Sequence, residues 1–159
     1  MHNSSEYMKV IIIKKDISLD HKQKEITELK DDADFIDIFE VFEDIVYDPG
    51  ENEIKNILLE YKQNVDKKIY GYYLGNKIIG IIGVKNNSDS IEVLHFGIHP
   101  GYRGKNFGSE LMDHIKNRNK TITLETDDDA VIFYKKYGFI CTEFNDEKKG
   151  KRYHCEYIK

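Results

Sequence analysis

Tryptophan is absent from this chain, proline occurs twice, cysteine twice, and apolar runs are short. Each shortage excludes a class of protein. No stretch approaches the ~18 apolar residues of a membrane span. Val10-Ile11-Ile12-Ile13 is too short for a signal-peptide core and is followed by Lys14 and Lys15. Cys141 and Cys155 carry no C-x-x-C spacing, and reduced, packed thiols are expected although both stand in strand-like segments that meet near the C-terminus. No metal site is expected. His95 and His99 are four apart, which in an extended segment separates them by ~13 Å, and no second Cys/His pair has ligand spacing. Basic charge is also short: 24 Lys and Arg against 29 Asp and Glu leave a net charge of −5. That balance speaks against a general nucleic-acid or anionic-membrane binder. Neither G-x-G-x-x-G nor G-x-x-x-x-G-K-[ST] occurs, so the dinucleotide and P-loop fingerprints are missing.

What remains is a soluble composition, 40% apolar and 33% charged over 159 residues, enough for one domain with a core. A single cytoplasmic domain over 1–159 is expected, with the polar residues 1–7 disordered. The most informative stretch is Ser90 to Arg118. Ile91 to Ile98 is a nearly continuous apolar run rich in β-branched and aromatic residues, the pattern of a buried strand. His99-Pro100-Gly101 breaks it. From Arg103 the apolar residues Phe107, Leu111, Met112 and Ile115 fall on one helical face. The turn between holds Arg103, Gly104, Lys105, Asn106 and Gly108. A helix start offers unpaired N–H groups and the positive end of the dipole, and two cations stand beside it, so the turn suits a phosphate. A merely tight connection would use similar residues.

Other elements read more simply. Lys9 to Lys15 has the pattern of an edge strand, and residues 20–30 are charged and ambiguous. Phe35, Ile38, Phe39, Phe42, Ile45 and Val46 recur at helical spacing until Asp48-Pro49-Gly50. A second helix places Ile54, Ile57, Leu58, Tyr61 and Val65 on one side. Ten carboxylates and no Lys or Arg lie between Asp31 and Glu53. They are a solvated face, or a wall that attracts a cation. Ile69–Leu74 and Lys77–Val84 form a hairpin around Gly75-Asn76. Thr121–Glu125 is a short strand parallel to the central one. Asp127–Asp129 starts another helix, and a last hairpin pairs Phe139–Phe144 with Arg152–Ile158. The order β-α-α-β-β-β-α-β-α-β-β predicts an α/β (α+β) fold, a mixed sheet of about seven strands with helices on both faces.

Arg103 to Gly108 resembles the pyrophosphate-binding signature [RQ]-x-x-G-x-[GA] of the GNAT superfamily, the acyl-CoA-dependent N-acetyltransferases. L-E-T-D-D-D-A-V-I-F-Y-K-K-Y-G-F is similar to the family's second signature, a helix ending in F-Y-x-x-x-G-F. Asn106 departs from the usual Gly, and Asn tolerates left-handed backbone better than most residues. The resemblance implies acetyl-CoA as co-substrate, held by Arg103, Gly104, Lys105, Asn106, Phe107 and Gly108. The backbone of Phe96, Gly97 and Ile98 would meet the pantetheine arm and the acetyl oxygen. It also implies an amine acceptor, small or peptidic, attacked directly in a ternary complex. Monomer and homodimer both remain open.

Two side chains carry the expected chemistry. Tyr134 falls on the tyrosine of F-Y-x-x-x-G-F that in many members protonates the departing sulfur; packing against the pantetheine is its other reading. Glu92 stands eleven residues ahead of Arg103, as does the catalytic base in the histone-acetylating branch, or it is an ordinary solvent-facing strand residue. His95 is the reserve base, or else a structural or substrate-lining group. The alternative function is a non-catalytic acetyl-CoA sensor of the same fold.

Overall fold

The computed structural model describes residues 22–29, 35–46 and 49–158. The predicted strand over 9–15 lies outside these residues, as do Asp31, Asp32, Asp34 and Asp48. The apolar spacing of the first helical segment closes into α1 (Phe35–Ile45), which buries Ile38, Val41 and Phe42. Gly50 then opens α2 (Glu51–Gln63), whose Glu51 and Glu53 stand beside the unpaired N–H groups of its first turn. The side chain and backbone N–H of Asn64 both bond the Glu60 carbonyl and end the helix there. Val65, expected on the inner face of α2, therefore falls beyond the helix and is 91% exposed.

Seven strands form one sheet: β1 (Lys24–Glu28), β2 (Lys67–Leu74), β3 (Lys77–Asn86), β4 (Ser90–Ile98), β5 (Thr121–Thr126), β6 (Ile140–Asp146) and β7 (Gly150–Tyr157). Their order across the sheet is β1-β2-β3-β4-β5-β7-β6. Every neighbouring pair is antiparallel except β4–β5. The parallel pair is the one joined by a crossover helix, α3 (Phe107–Ile115), as a strand–helix–strand unit requires. A last helix, α4 (Val131–Tyr137), precedes the β6–β7 hairpin. Segment 20–30 shows no strand periodicity, because β1 is an edge strand with only Ile26 partly covered; its pairing with β2 decides its conformation.

Apolar side chains segregate to the two faces of the sheet. Ile38, Val41, Phe42, Ile54 and Tyr61 pack with Ile69, Ile78 and Ile81 on one. Leu111, Met112, Ile115, Val131, Tyr134 and Phe139 pack with Ile82, Val84, Ile91, Val93, Ile122 and Leu124 on the other. Strand β3 is buried on both faces, hence its continuous apolar run. The expectation of reduced cysteines is overturned: Cys141 and Cys155 form a disulfide. Register is the reason, since the final hairpin sets the two residues directly opposite each other. The acidic start expected for α4 is also modified. Asp127 accepts the N–H groups of Asp129 and Ala130 in the turn ahead of the helix, while Asp128 turns away to Tyr153 and Lys151.

One feature of the sheet organises the rest. Strands β4 and β5 pair only through Ser90, Ile91 and Glu92 with Thr121, Ile122 and Thr123. Beyond Glu92, β4 continues to Ile98 bonded to β3 alone, while β5 continues to Thr126 bonded to β7. The sheet therefore opens into a V. Its cause lies at the same place. Val93 pairs Val84 and His95 pairs Gly83, so Leu94 is an extra residue, a β-bulge. A bulge bends its strand and increases the local twist, which turns β4 away from β5 just past their last pair.

Candidate active site

The turn at the mouth of the V has the backbone that a bound anion needs. His99 precedes a short 3-10 turn, Pro100–Tyr102. Gly104 then takes φ 76°, with open space where a Cβ would stand. Asn106, at the N-cap of α3, takes φ 68° and ψ 8°. It is the one non-glycine residue with positive φ among the described residues, and its side chain makes no capping bond. The departure from glycine is thus accommodated by the tolerance of Asn for the left-handed region. The first intrahelical bond of α3 runs from Glu110 N–H to the Asn106 carbonyl. The N–H groups of Phe107, Gly108 and Ser109 lie inside the first turn and have no helical acceptor.

Within the turn, residues differ in task. Arg103, Gly104, Lys105 and Asn106 are exposed, whereas Phe107 and Gly108 are buried. The Phe107 ring packs edge-on against Tyr72, so only its backbone faces the turn. A Cβ on Gly108 would lie 3.2 Å from both Phe96 and Phe133. Gly108 is small enough for α3 to seat against β4 and α4. Arg103 is tied back. Its Nε donates to the Ile98 carbonyl at 3.0 Å, and its Nη2 stands 3.6 Å from Asp44 of α1. The Ile98 carbonyl, expected to serve a ligand, is thereby occupied.

The acidic stripe of α1 is occupied too. Asp37 accepts the N–H of Ile78 at 3.2 Å. Glu40 pairs with Lys77 at 3.7 Å and with His99 Nε2 at 3.1 Å. His99 Nδ1 accepts the Gly101 N–H, which leaves Nε2 as the nitrogen that faces Glu40. With Asp44 on Arg103, the three carboxylates stitch α1 to β3 and to the phosphate-type turn. They are not a free one-signed wall.

The two faces of the V differ. On the α3/α4 face, Tyr134 is buried among Phe96, Phe133 and Phe139, with ring centroids 5.3–6.0 Å away. Among the described residues its hydroxyl has no hydrogen-bond partner, and burial pushes its pKa above the ordinary phenol value, with Asp127 adding to the rise. On the opposite face stand Glu92 and His95. Glu92 is half-buried and lies in a row across the sheet with Lys85, Thr123 and Glu156. His95 Nδ1 is 2.6 Å from the Tyr61 hydroxyl, and Phe42 and Tyr61 both meet its ring edge-on. Burial lowers its pKa from the ordinary value, while Glu60 raises it and Lys67 lowers it. In a regular strand, residues three apart face opposite ways. The bulge at Leu94 puts Glu92 and His95 on one face.

Of the residues singled out in the sequence, the structure brings Tyr134 to Phe96 on one face of the V and sets Glu92 and His95 together on the other. Tyr61 read only as part of the apolar face of α2, and Asp44 only as part of an acidic wall, with no sign of their partners His95 and Arg103. A signal for Tyr61 existed in Gly83, one of two glycines in the apolar strand β3: a Cβ there would collide with the Tyr61 hydroxyl. A cavity of about 620 Å³ beside α2 and β2 shares Tyr61, yet no residue of the turn lines it.

Residues 20–155 match the family described as acetyltransferase (GNAT) domain. Solved structures share the fold at low identity. Ard1 from Thermoplasma volcanium is 22% identical, with 85% of this chain and 97% of that one covered and a TM-score of 0.64. The PaiA N-acetyltransferase of Thermoplasma acidophilum, solved in complex with coenzyme A, is 19% identical over 85% and 99% of the two chains at a TM-score of 0.63. An acetyltransferase from Streptococcus agalactiae, 17% identical over 85% and 98%, reaches 0.68. With its family domain matched over most of its length, the chain belongs to the GNAT family of acetyl-CoA-dependent acetyltransferases.

Proposed function

We propose that this enzyme moves the acetyl group of acetyl-CoA onto a primary amine by direct attack in a ternary complex. In this reading the thioester enters the V from the α3/α4 face and the amine approaches from the other. The observation that carries the proposal is the V itself, with an unpartnered phenol on one side and titratable groups on the other. The residues present suit the carrier. Gly104, the left-handed Asn106, the first-turn N–H groups of α3 and the side chains of Arg103 and Lys105 would hold its diphosphate. The free edge of β4 would give the N–H groups of Phe96 and Ile98, either side of Gly97, to the pantetheine arm and to the acetyl oxygen as it gains charge.

Tyr134 is the proposed acid for the departing thiolate. Moving a proton from a phenol to a thiol-type sulfur is uphill by about 2 kcal/mol at ordinary pKa values, modest beside a chemical barrier. Burial raises the pKa of Tyr134, but it raises that of a thiolate in the same aromatic pocket as well, so the gap changes little. Glu92 is the proposed carboxylate on the proton-accepting side. A lysine-like amine is about 4.6 kcal/mol from neutrality at pH 7, against about 1.4 kcal/mol for an α-amine. A base therefore matters more for the first.

The test is acetyl-CoA-dependent thiol release over a panel of amines, with carrier binding followed by calorimetry. Turnover with one amine class supports the proposal. Tight acetyl-CoA binding without thiol release from any amine would overturn it in favour of a sensor of the same fold.

A further inference from the structure

We propose that His95, held in place by Tyr61, is the group that first receives the proton of the acceptor amine. The inference rests on the acetyl-transfer reading and goes beyond it by naming the proton's route. Three observations carry it. First, the bulge at Leu94 places His95 on the face of β4 opposite Phe96 and Tyr134, hence on the acceptor side of the V. Second, the ring is covered from two directions. Tyr61 fills the space over Gly83 on the β3 side, and Phe42 covers it from α1. At this level β4 no longer pairs with β5, so the V opens beside His95. Third, only Nδ1 is bonded: it lies 2.6 Å from the Tyr61 hydroxyl, and among the described residues Nε2 has no hydrogen-bond partner.

The proposal requires one tautomer of this contact. In it Nδ1–H donates to the Tyr61 oxygen, and the Nε2 lone pair is free to take a proton. The charged neighbours of His95 are Glu60 from α2 and Lys67 from β2, with opposite effects on the imidazolium, while α1 and β3 present the uncharged Phe42 and Gly83. Burial keeps the ring neutral near pH 7, as a base requires. Glu92 lies two register steps away, opposite Lys85 where His95 is opposite Gly83, or about 7 Å along the strand.

The step balances as follows. The ammonium gives its proton to His95 Nε2, and the freed nitrogen lone pair forms the C–N bond to the acetyl carbon. The C–S bond then breaks, the sulfur takes the proton of the Tyr134 hydroxyl, and the new amide nitrogen sheds its second proton to solvent. Solvent returns a proton to the Tyr134 phenolate, so the net release is the one proton taken by His95. The His95 imidazolium returns its proton to solvent by way of Glu92. Tyr61 is a positioning residue, for its hydroxyl bonds the imidazole and takes no part in the transfer itself.

Two measurements test this. Long-range proton–nitrogen NMR of the acetyl-CoA-saturated protein, assigned against His95→Gln, is expected to show protonated Nδ1 and bare Nε2; the Nε2–H tautomer would overturn the proposal. Thiol release is then followed against pH with the fastest acceptor among spermidine, lysine amide and an alanyl peptide. His95→Gln is expected to lower kcat at least thirty-fold and to erase the acid limb of its pH profile. Tyr61→Phe should cost about five-fold and move that limb, with acetyl-CoA affinity unchanged in both variants. A His95→Gln enzyme with the parent's kcat and pH profile sinks this inference alone. No transfer by the parent protein to any amine would sink the acetyl-transfer reading with it.

Discussion

The two faces of the V are built from different material. The α3/α4 side is aromatic and without charge around the split: Phe96, Phe133, Tyr134 and Phe139 pack ring against ring. The α1/α2 side holds an imidazole on a phenol, a half-buried carboxylate, and a helix tied by ion pairs to the turn. The difference teaches what a thioester-to-amine transfer asks of a sheet. In the proposed transfer, an aromatic side would let a thiol leave as a neutral group, and a titratable side would strip an ammonium of its proton. A sheet that splits between its halves supplies both within one domain.

The comparison can be broken from either side. Phe42→Ala, which empties a fully buried site on α1, should cost about 3–5 kcal/mol of stability by denaturant titration. It should also impair amine acetylation more than acetyl-CoA binding, because only the His95 face loses its cover. Tyr134→Phe acts on the other face: turnover should fall at least tenfold, about 1.4 kcal/mol, with acetyl-CoA affinity nearly unchanged in a calorimeter. Asn106→Val should cost about 1–2 kcal/mol, since a β-branched residue resists the left-handed region. Its effect is expected on coenzyme affinity more than on kcat, whereas Asn106→Gly should bind at least as well as the parent.

Smaller effects sharpen the picture. Asp44→Asn releases Arg103 from an exposed partner worth up to ~1 kcal/mol, so acetyl-CoA should bind up to about five-fold tighter. Stability against pH reads the His95 environment. Its folded-state pKa is depressed, chiefly by burial. Below the ordinary value near 6.5, the unfolded chain therefore binds the proton that the folded one refuses. Stability falls as pH drops from about 6.5 to the depressed pKa and then levels. His95→Gln should flatten that part of a denaturation series.

Much of the site was legible because its signals are local. The change of period between Ile98 and Phe107, the glycine and asparagine of the turn, and the inward stripe holding Tyr134 all follow from backbone sterics and helix geometry within ten residues. Edge strand β1 was not legible, because its conformation comes from pairing with β2 more than forty residues away. The disulfide was misread for a related reason. Two cysteines in a hairpin meet only if its register sets them opposite, and the register was not visible in composition. The ten-carboxylate block gave no sign that Asp37, Glu40 and Asp44 would meet partners on β3 and the turn.

The sequence by itself determined the order of the elements, the phosphate-type turn and the residue types that surround it, since these rest on φ/ψ preference and apolar spacing. Only the tertiary structure decided which side of the sheet each chemical group faces. A single extra residue, Leu94, rotates everything after it by half a strand period. Whether a strand takes up such a residue depends on the neighbour it pairs with, and that neighbour is chosen by the packing of the whole sheet.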